Sequence, residues 1–97
     1  PSVRIAEDAI LDLMARSFAP VVDGMVGGGG ASGHPVNHVC LAMSESEFEA
    51  LKKRLEENEV FVSPFMQQSF GARGLAPRAF YFRDPDGNVL EARYYPK

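Results

Sequence analysis

Residues 34–43, HPVNHVCLAM, contain three side chains that can bind a metal or react, the imidazoles of His34 and His38 and the thiol of Cys40. A polar, turn-prone lead-in ends at His38, and an apolar, strand-like run follows it. The imidazole could bind a divalent metal at the mouth of a cavity, or His38 could simply be the polar residue that begins a strand. Strand alternation places Cys40 on the same face, where its thiol could line the cavity or serve as a small buried hydrophobe.

The residues after His38 predict a small α+β unit. The predicted elements, in chain order, are a strand at 38–43, a helix after Ser44, a short strand at 60–62, a long loop at 63–78, and strands at 79–83 and 89–95. Ser44 can cap the helix, because Glu47 follows three residues later and apolar residues then recur at helical spacing. Asp84-Pro85-Asp86-Gly87 predicts a tight turn that pairs the last two strands as a hairpin.

The first 37 residues are less uniform. Residues 21–37 include four consecutive glycines and predict a flexible connector. Residues 1–16 fit two structures. A helix would place Ile10, Leu13 and Met14 on one face, and helical propensity favours it. A hairpin would instead turn at residues 6–8 and return along AILDLM.

Bulk properties narrow the class of protein. The chain has 97 residues, a formal net charge of −3 and one cysteine. This length suits one small domain, and the charge gives no general attraction to nucleic acid or anionic lipid. One cysteine excludes an internal disulfide and fits a reducing compartment. No run approaches the ~20 apolar residues of a membrane span. We therefore expect a cytoplasmic protein with no nucleic-acid or membrane partner.

Longer stretches resemble a known family. FYFRDPDGNVLEARYY at 80–95 resembles the closing hairpin of the vicinal oxygen chelate superfamily. This group includes glyoxalase I, extradiol dioxygenases, fosfomycin-resistance enzymes and bleomycin-binding proteins. NHVCLAM with its capped helix resembles the start of the same βαβββ module, and GARGLAPRAFYF resembles the loop before its third strand. The resemblance covers about residues 34–95 in order. It implies a curved mixed sheet whose first and last strands are neighbours.

The resemblance also implies metal ligands. His38 stands where the histidine that opens the first strand of the second module is typically a ligand, and Glu91 stands where the last strand typically supplies a glutamate. By the same resemblance, residues 1–20 are the remnant of a first module, and hairpin is preferred over helix. Asp12 then occupies the place of a first-module carboxylate ligand. Each of these residues also has an explanation without a metal. His38 could begin the strand with its ring bonded to the backbone, Glu91 could be an exposed strand residue, and Asp12 could be an exposed polar residue on a helix.

The expected fold is therefore α+β, with a βαβββ module at 38–95 that follows the last hairpin of a first such module. The sequence lacks the strand, helix and strand that would precede residue 1. We expect missing upstream residues or a second chain to complete the sheet, and we expect a homodimer. A third possibility is a dimerisation half-domain with no site of its own.

The function implied by the resemblance is that of a metal-dependent enzyme acting on a small molecule with vicinal oxygens. Lyase, dioxygenase and transferase chemistry all stay open, and the ligand types do not distinguish zinc, nickel, iron, cobalt or manganese. Glu91 or Asp12 could act as the base, and Cys40, Tyr81 and Arg73 are candidate substrate-binding residues. The alternative is a metal-free, drug-sequestering protein like the bleomycin-binding branch.

Overall fold

The computed structural model describes residues 2–13, 21, 24–25 and 36–96. The connector predicted at 21–37 lies mostly outside the described residues, and His34 lies outside them too. The division of the chain into a first-module remnant at 1–20, a connector and a module at 38–95 stays a prediction.

A β-hairpin forms the N-terminal part. Strand β1 (Ser2–Ala6) pairs antiparallel with strand β2 (Ala9–Asp12), and residues 7–8 form the turn. Val3 and Ile5 are β-branched and suit a strand, and cross-strand pairing overrides the helical propensity of the segment. The hairpin prediction is therefore confirmed, and the helix alternative is wrong.

The hairpin makes polar contacts with the turn between Gly71 and Gly74 of the main unit. The guanidinium of Arg4 donates to the carbonyl oxygen of Glu7 at 2.8 Å and to that of Ala72 at 3.0 Å. Arg73 forms an exposed ion pair with Asp8, with Nε and Oδ1 separated by 3.4 Å. These polar contacts connect two turns, and surface ion pairs of this kind add little stability.

The main unit is a four-stranded sheet with one helix. Its elements are strand β3 (Val39–Met43), helix α1 (Glu45–Glu57), strand β4 (Met66–Gly71), strand β5 (Gly74–Arg83) and strand β6 (Val89–Tyr94). The strands lie in the order β3-β6-β5-β4, with β3 parallel to β6 and the other pairs antiparallel. The predicted α+β fold, with a curved mixed sheet and neighbouring first and last strands, is confirmed.

Helix α1 covers one face of this sheet. Ser44 and Glu47 form a reciprocal capping box at its start, and Asn58 ends it. Phe48 is fully buried, and its ring centroid lies 5.0 Å from that of Phe80. The buried residues that pack together on this face are Phe48, Phe80, Phe82, Ala92 and Tyr94. Within the described residues, no helix is long and apolar enough to cross a membrane.

The second strand of the module lies further along the chain than predicted. Residues 60–62 do not form a strand, and the loop predicted at 63–78 contains β4 and the first half of β5. Only Ser63, just after this segment, bonds to the backbone of Tyr81 on β5 among the hydrogen bonds described. Its amide donates to the Tyr81 carbonyl at 3.0 Å, and its hydroxyl accepts from the Tyr81 amide at 2.8 Å. Gly74, with φ of 97°, closes the tight turn between β4 and β5 rather than a loop.

Replacement of Phe48 by alanine should destabilise the protein by about 3–5 kcal/mol, because it leaves a cavity between the helix and the sheet. The matched control is Phe61→Ala, since the Phe61 side chain is 58% exposed. Chemical denaturation followed by circular dichroism should show a change of about 1 kcal/mol or less for this control. Equal losses in the two variants would contradict the placement of the core.

Candidate functional site

The turn between β5 and β6 sets the register of the site. The Asp84 carboxylate accepts from the backbone and the side-chain amide of Asn88, each at 2.8 Å, and Gly87 adopts a φ of 88°. This turn brings Glu91 on β6 directly opposite Tyr81 on β5. Because paired residues project to the same side of a sheet, both side chains lie on the face opposite helix α1.

Strand β3 adds the other half of the site. Its parallel pairing with β6 places Cys40 beside Glu91, and His38 lies just before the strand begins. Nε2 of His38 lies 3.1 Å from Oε1 of Glu91. The two residues are 53 apart in sequence, and Glu91 is only 2% exposed. The structure thus brings together the two residues that the resemblance implied as ligands.

Two contacts orient the His38 ring. Its Nδ1 lies 2.6 Å from the carboxamide oxygen of Asn37, and its edge meets the ring of Tyr81 at 5.0 Å between centroids. With Asn37 oxygen at Nδ1 and Glu91 oxygen at Nε2, both ring nitrogens face acceptors. A neutral imidazole carries a single N–H, so the second nitrogen needs either another proton or a metal ion.

The pair fits part of a metal site. Two ligand atoms bound at right angles to one ion, each at about 2.1 Å, lie about 3 Å apart. The separation of His38 Nε2 and Glu91 Oε1 is 3.1 Å. A polar acceptor on the other ring nitrogen, as Asn37 provides, is the usual outer partner of a metal-binding histidine. No three histidine, cysteine, aspartate or glutamate side chains converge as a metal cluster within the described residues.

The remaining predicted site residues divide into two groups. Cys40 and Tyr81 lie next to Glu91, as expected for residues that line the same face. Asp12 lies at the exposed end of β2, where its carboxylate accepts from the Ser2 hydroxyl, although it is near enough to Cys40 to influence that thiol. Arg73 lies in the turn before β5, paired with Asp8. Neither Asp12 nor Arg73 contacts the His38–Glu91 pair in any of these interactions.

Arg93 is a site residue that the sequence interpretation did not assign. Its guanidinium donates to Oε2 of Glu91, to the Ser69 hydroxyl at 3.0 Å, to the Ser69 carbonyl at 3.3 Å and to the Tyr95 hydroxyl at 3.4 Å. Arg93 is 4% exposed, so this is a buried ion pair. Strand alternation could have predicted this contact, because Glu91 and Arg93 are two residues apart and therefore lie on the same face of β6.

Gly71 makes room for this guanidinium. A methyl group added at Gly71 would lie 2.0 Å from Nη1 of Arg93 and 2.4 Å from the Tyr95 hydroxyl oxygen. These distances are far below van der Waals contact, so any side chain at this position would displace Arg93. The glycine at the end of β4 is thus required by its close approach to Arg93 and Tyr95.

The buried charges shift the ionisation of their neighbours. Burial, and then the Glu91 charge, raise the pKa of Tyr81, so its hydroxyl keeps its proton. Burial alone would lower the pKa of Arg93, but the Glu91 carboxylate more than offsets this and raises it above its ordinary value. The Arg93 guanidinium and the Glu91 carboxylate form a buried ion pair on this face of the sheet.

An apolar cluster borders the polar pair. Tyr81 and Val89 are buried on the same face, and Met25 and Met66 pack against them. A small molecule held at the His38–Glu91 pair would therefore contact apolar side chains on one side. This combination of a few polar groups beside an apolar wall is typical of ligand sites.

The elements from β3 to β6 thus form a βαβββ unit in which His38 and Glu91 lie side by side. Among solved structures, the chain is similar to a genomically encoded fosfomycin resistance protein, FosX, from Listeria monocytogenes. The match has 22% sequence identity and a TM-score of 0.47, and it covers 62% of this chain and 46% of the FosX chain. This chain thus matches less than half the length of that protein. Comparison with family models and with curated proteins finds no match.

The thiol of Cys40 should react slowly with alkylating agents although the residue is exposed on an edge strand. Loss of water around the sulfur, and then the Glu91 charge, raise its pKa from 9.0 to about 11, so less thiolate is present at neutral pH. The rate of iodoacetamide labelling should therefore rise with pH towards a midpoint near 11. In Glu91→Gln the midpoint should fall. A midpoint at 9.0 in the unmodified protein would contradict this environment.

Proposed function

We propose that this chain forms part of a metal-dependent enzyme of the glyoxalase and dioxygenase type that acts on a small molecule with vicinal oxygens. The observation that carries the proposal is the His38 ring, whose two nitrogens both face oxygen acceptors. One acceptor is the carboxylate of Glu91, which is almost fully buried. A cation between these groups would satisfy the buried carboxylate and the ring together.

The proposed metal ligands are Nε2 of His38 and Oε1 of Glu91. Their types suit zinc, nickel, iron, cobalt or manganese. A metal bound here would act as a Lewis acid on a substrate oxygen. Asn37 orients the ring through Nδ1, and the protonated hydroxyl of Tyr81 is a potential hydrogen-bond donor beside the site. Glu91 is also the proposed catalytic carboxylate, because its Oε1, once released from a metal, could accept a substrate proton while Arg93 holds Oε2.

We propose that a second chain supplies the further metal ligand and the cover for the sheet edge that the described residues do not provide. Strand β3 lies at one edge of the sheet, and its Val39 and Leu41 side chains are 50% and 43% exposed. An exposed apolar edge strand is a template for further pairing. We infer a homodimer in which an added segment covers this edge, and Asp12 of this chain or of its partner is the proposed third ligand.

One observation favours a second candidate, a metal-free binding protein of the same fold. The Glu91 carboxylate receives Arg93 on Oε2 and faces His38 on Oε1, so it has polar partners without a metal. In that case His38 and Arg93 would each donate to one oxygen of the carboxylate, and no metal would be needed to satisfy it. The apolar cluster of Tyr81 and Val89 would then supply the contact surface for a sequestered small molecule.

Removal of either proposed ligand should abolish stoichiometric metal binding. We expect His38→Ala and Glu91→Gln each to weaken binding at least as much as the ~10–100-fold loss typical of an outer-shell partner. Metal analysis after dialysis and calorimetric titration with Zn²⁺ would measure this. His34→Ala and Glu57→Gln are matched controls that remove the other histidine and a helix carboxylate, and both should retain the metal. Full metal content in both ligand variants would remove the proposal.

Ligand-induced stabilisation separates the two candidates. Small oxygen chelators such as catechols and hydroxamates should raise the melting temperature only when metal is present, since they would bind through the ion. A ligand at 100 times its dissociation constant adds about 2.7 kcal/mol to the unfolding free energy. A melting temperature raised equally with and without a metal chelator would instead support the metal-free binding protein.

A further inference from the structure

Arg93 is held more tightly than a simple ion-pair partner requires. Its guanidinium has four acceptor contacts, with Glu91, with the hydroxyl and carbonyl of Ser69, and with the Tyr95 hydroxyl. Its guanidinium carbon also lies 5.9 Å from the centre of the Tyr95 ring. Strands β4 and β6 and the residue after β6 thus fix one planar group in one orientation. A planar fork of donors held in this way can impose its orientation on a carboxylate.

We propose that Arg93 is a positioning residue that divides the two oxygens of Glu91 between two tasks. Oε2 is retained by the guanidinium, and Oε1 is presented alone beside Nε2 of His38. Glu91 therefore binds the proposed metal through one oxygen rather than two. This inference rests on the proposed metal site, and it extends the site to Arg93, with Ser69, Gly71 and Tyr95 as the residues that hold Arg93 in place.

The sign of the effect on metal affinity distinguishes positioning from simple electrostatics. A fixed positive charge close to a divalent cation repels it, so removal of Arg93 should tighten metal binding if charge alone matters. If Arg93 acts by orienting Glu91, its removal should weaken binding, as loss of an outer-shell partner does. The two explanations predict changes in opposite directions.

The experiment measures Zn²⁺ affinity in the full chain with Arg93→Met and Gly71→Ala. Gly71→Ala leaves Arg93 and Glu91 chemically intact but places a methyl group where Nη1 of Arg93 lies. Arg54→Met, which removes an exposed helix arginine, is the charge-matched control. We expect at least tenfold weaker binding in both test variants and no change in the control. Circular dichroism identifies the variants that fold. If Arg93→Met does not fold, the affinity of Gly71→Ala alone tests the role of Arg93.

The visible absorption of bound Co²⁺ provides a signature that a merely structural role would not change. Freed from Arg93, Oε2 of Glu91 can join the ion and raise its coordination number, so the absorption band should weaken in Arg93→Met. An unchanged or tighter Zn²⁺ affinity in both variants, or an unchanged Co²⁺ spectrum, would overturn the role of Arg93 while leaving the metal site intact. Absence of metal binding by the unmodified protein would instead overturn the proposed function, and this role with it.

Discussion

The contact between His38 and Glu91 is the constraint on which the site depends. Parallel pairing of the first and last strands of the module brings an imidazole and a buried carboxylate, 53 residues apart, to 3.1 Å. Asn37 occupies the other ring nitrogen, so the ring cannot satisfy both oxygens as a neutral group. A buried carboxylate has a high desolvation cost, and the surrounding residues offset it with donors and positive charge.

The two faces of the sheet divide the tasks of stability and chemistry. On one face, helix α1 buries aromatic side chains around Phe48, which provides the apolar burial that a small domain needs. On the other face, polar groups around Glu91 are fixed from several strands, so their orientation does not depend on solvent. Arg78 marks the border of the aromatic face, where it donates to the Tyr94 hydroxyl at 2.9 Å and to Glu49 at 3.0 Å. A rigid apolar layer behind the sheet is what allows a polar site in front of it.

The pattern of the sequence predicted the order of the elements, and the family resemblance predicted that His38 and Glu91 would lie close together. The capping box at Ser44 and the DPDG turn are local signals, and both form as predicted. The strand at 60–62 was wrong because an apolar triplet cannot show whether a partner strand lies beside it. Contacts between residues of β4 and β6 also cannot be predicted from the sequence around either strand. The need for a glycine at 71 follows from a guanidinium 22 positions later, which only the folded chain brings together.

The most direct measurement is a crystal structure of the metal-soaked protein with anomalous diffraction at the metal absorption edge. We predict one anomalous peak at about 2.0–2.2 Å from both His38 Nε2 and Glu91 Oε1, with Oε2 still bound by Arg93. A structure with no ion at this position, in which His38 donates directly to Glu91 through a protonated Nε2, would contradict this prediction.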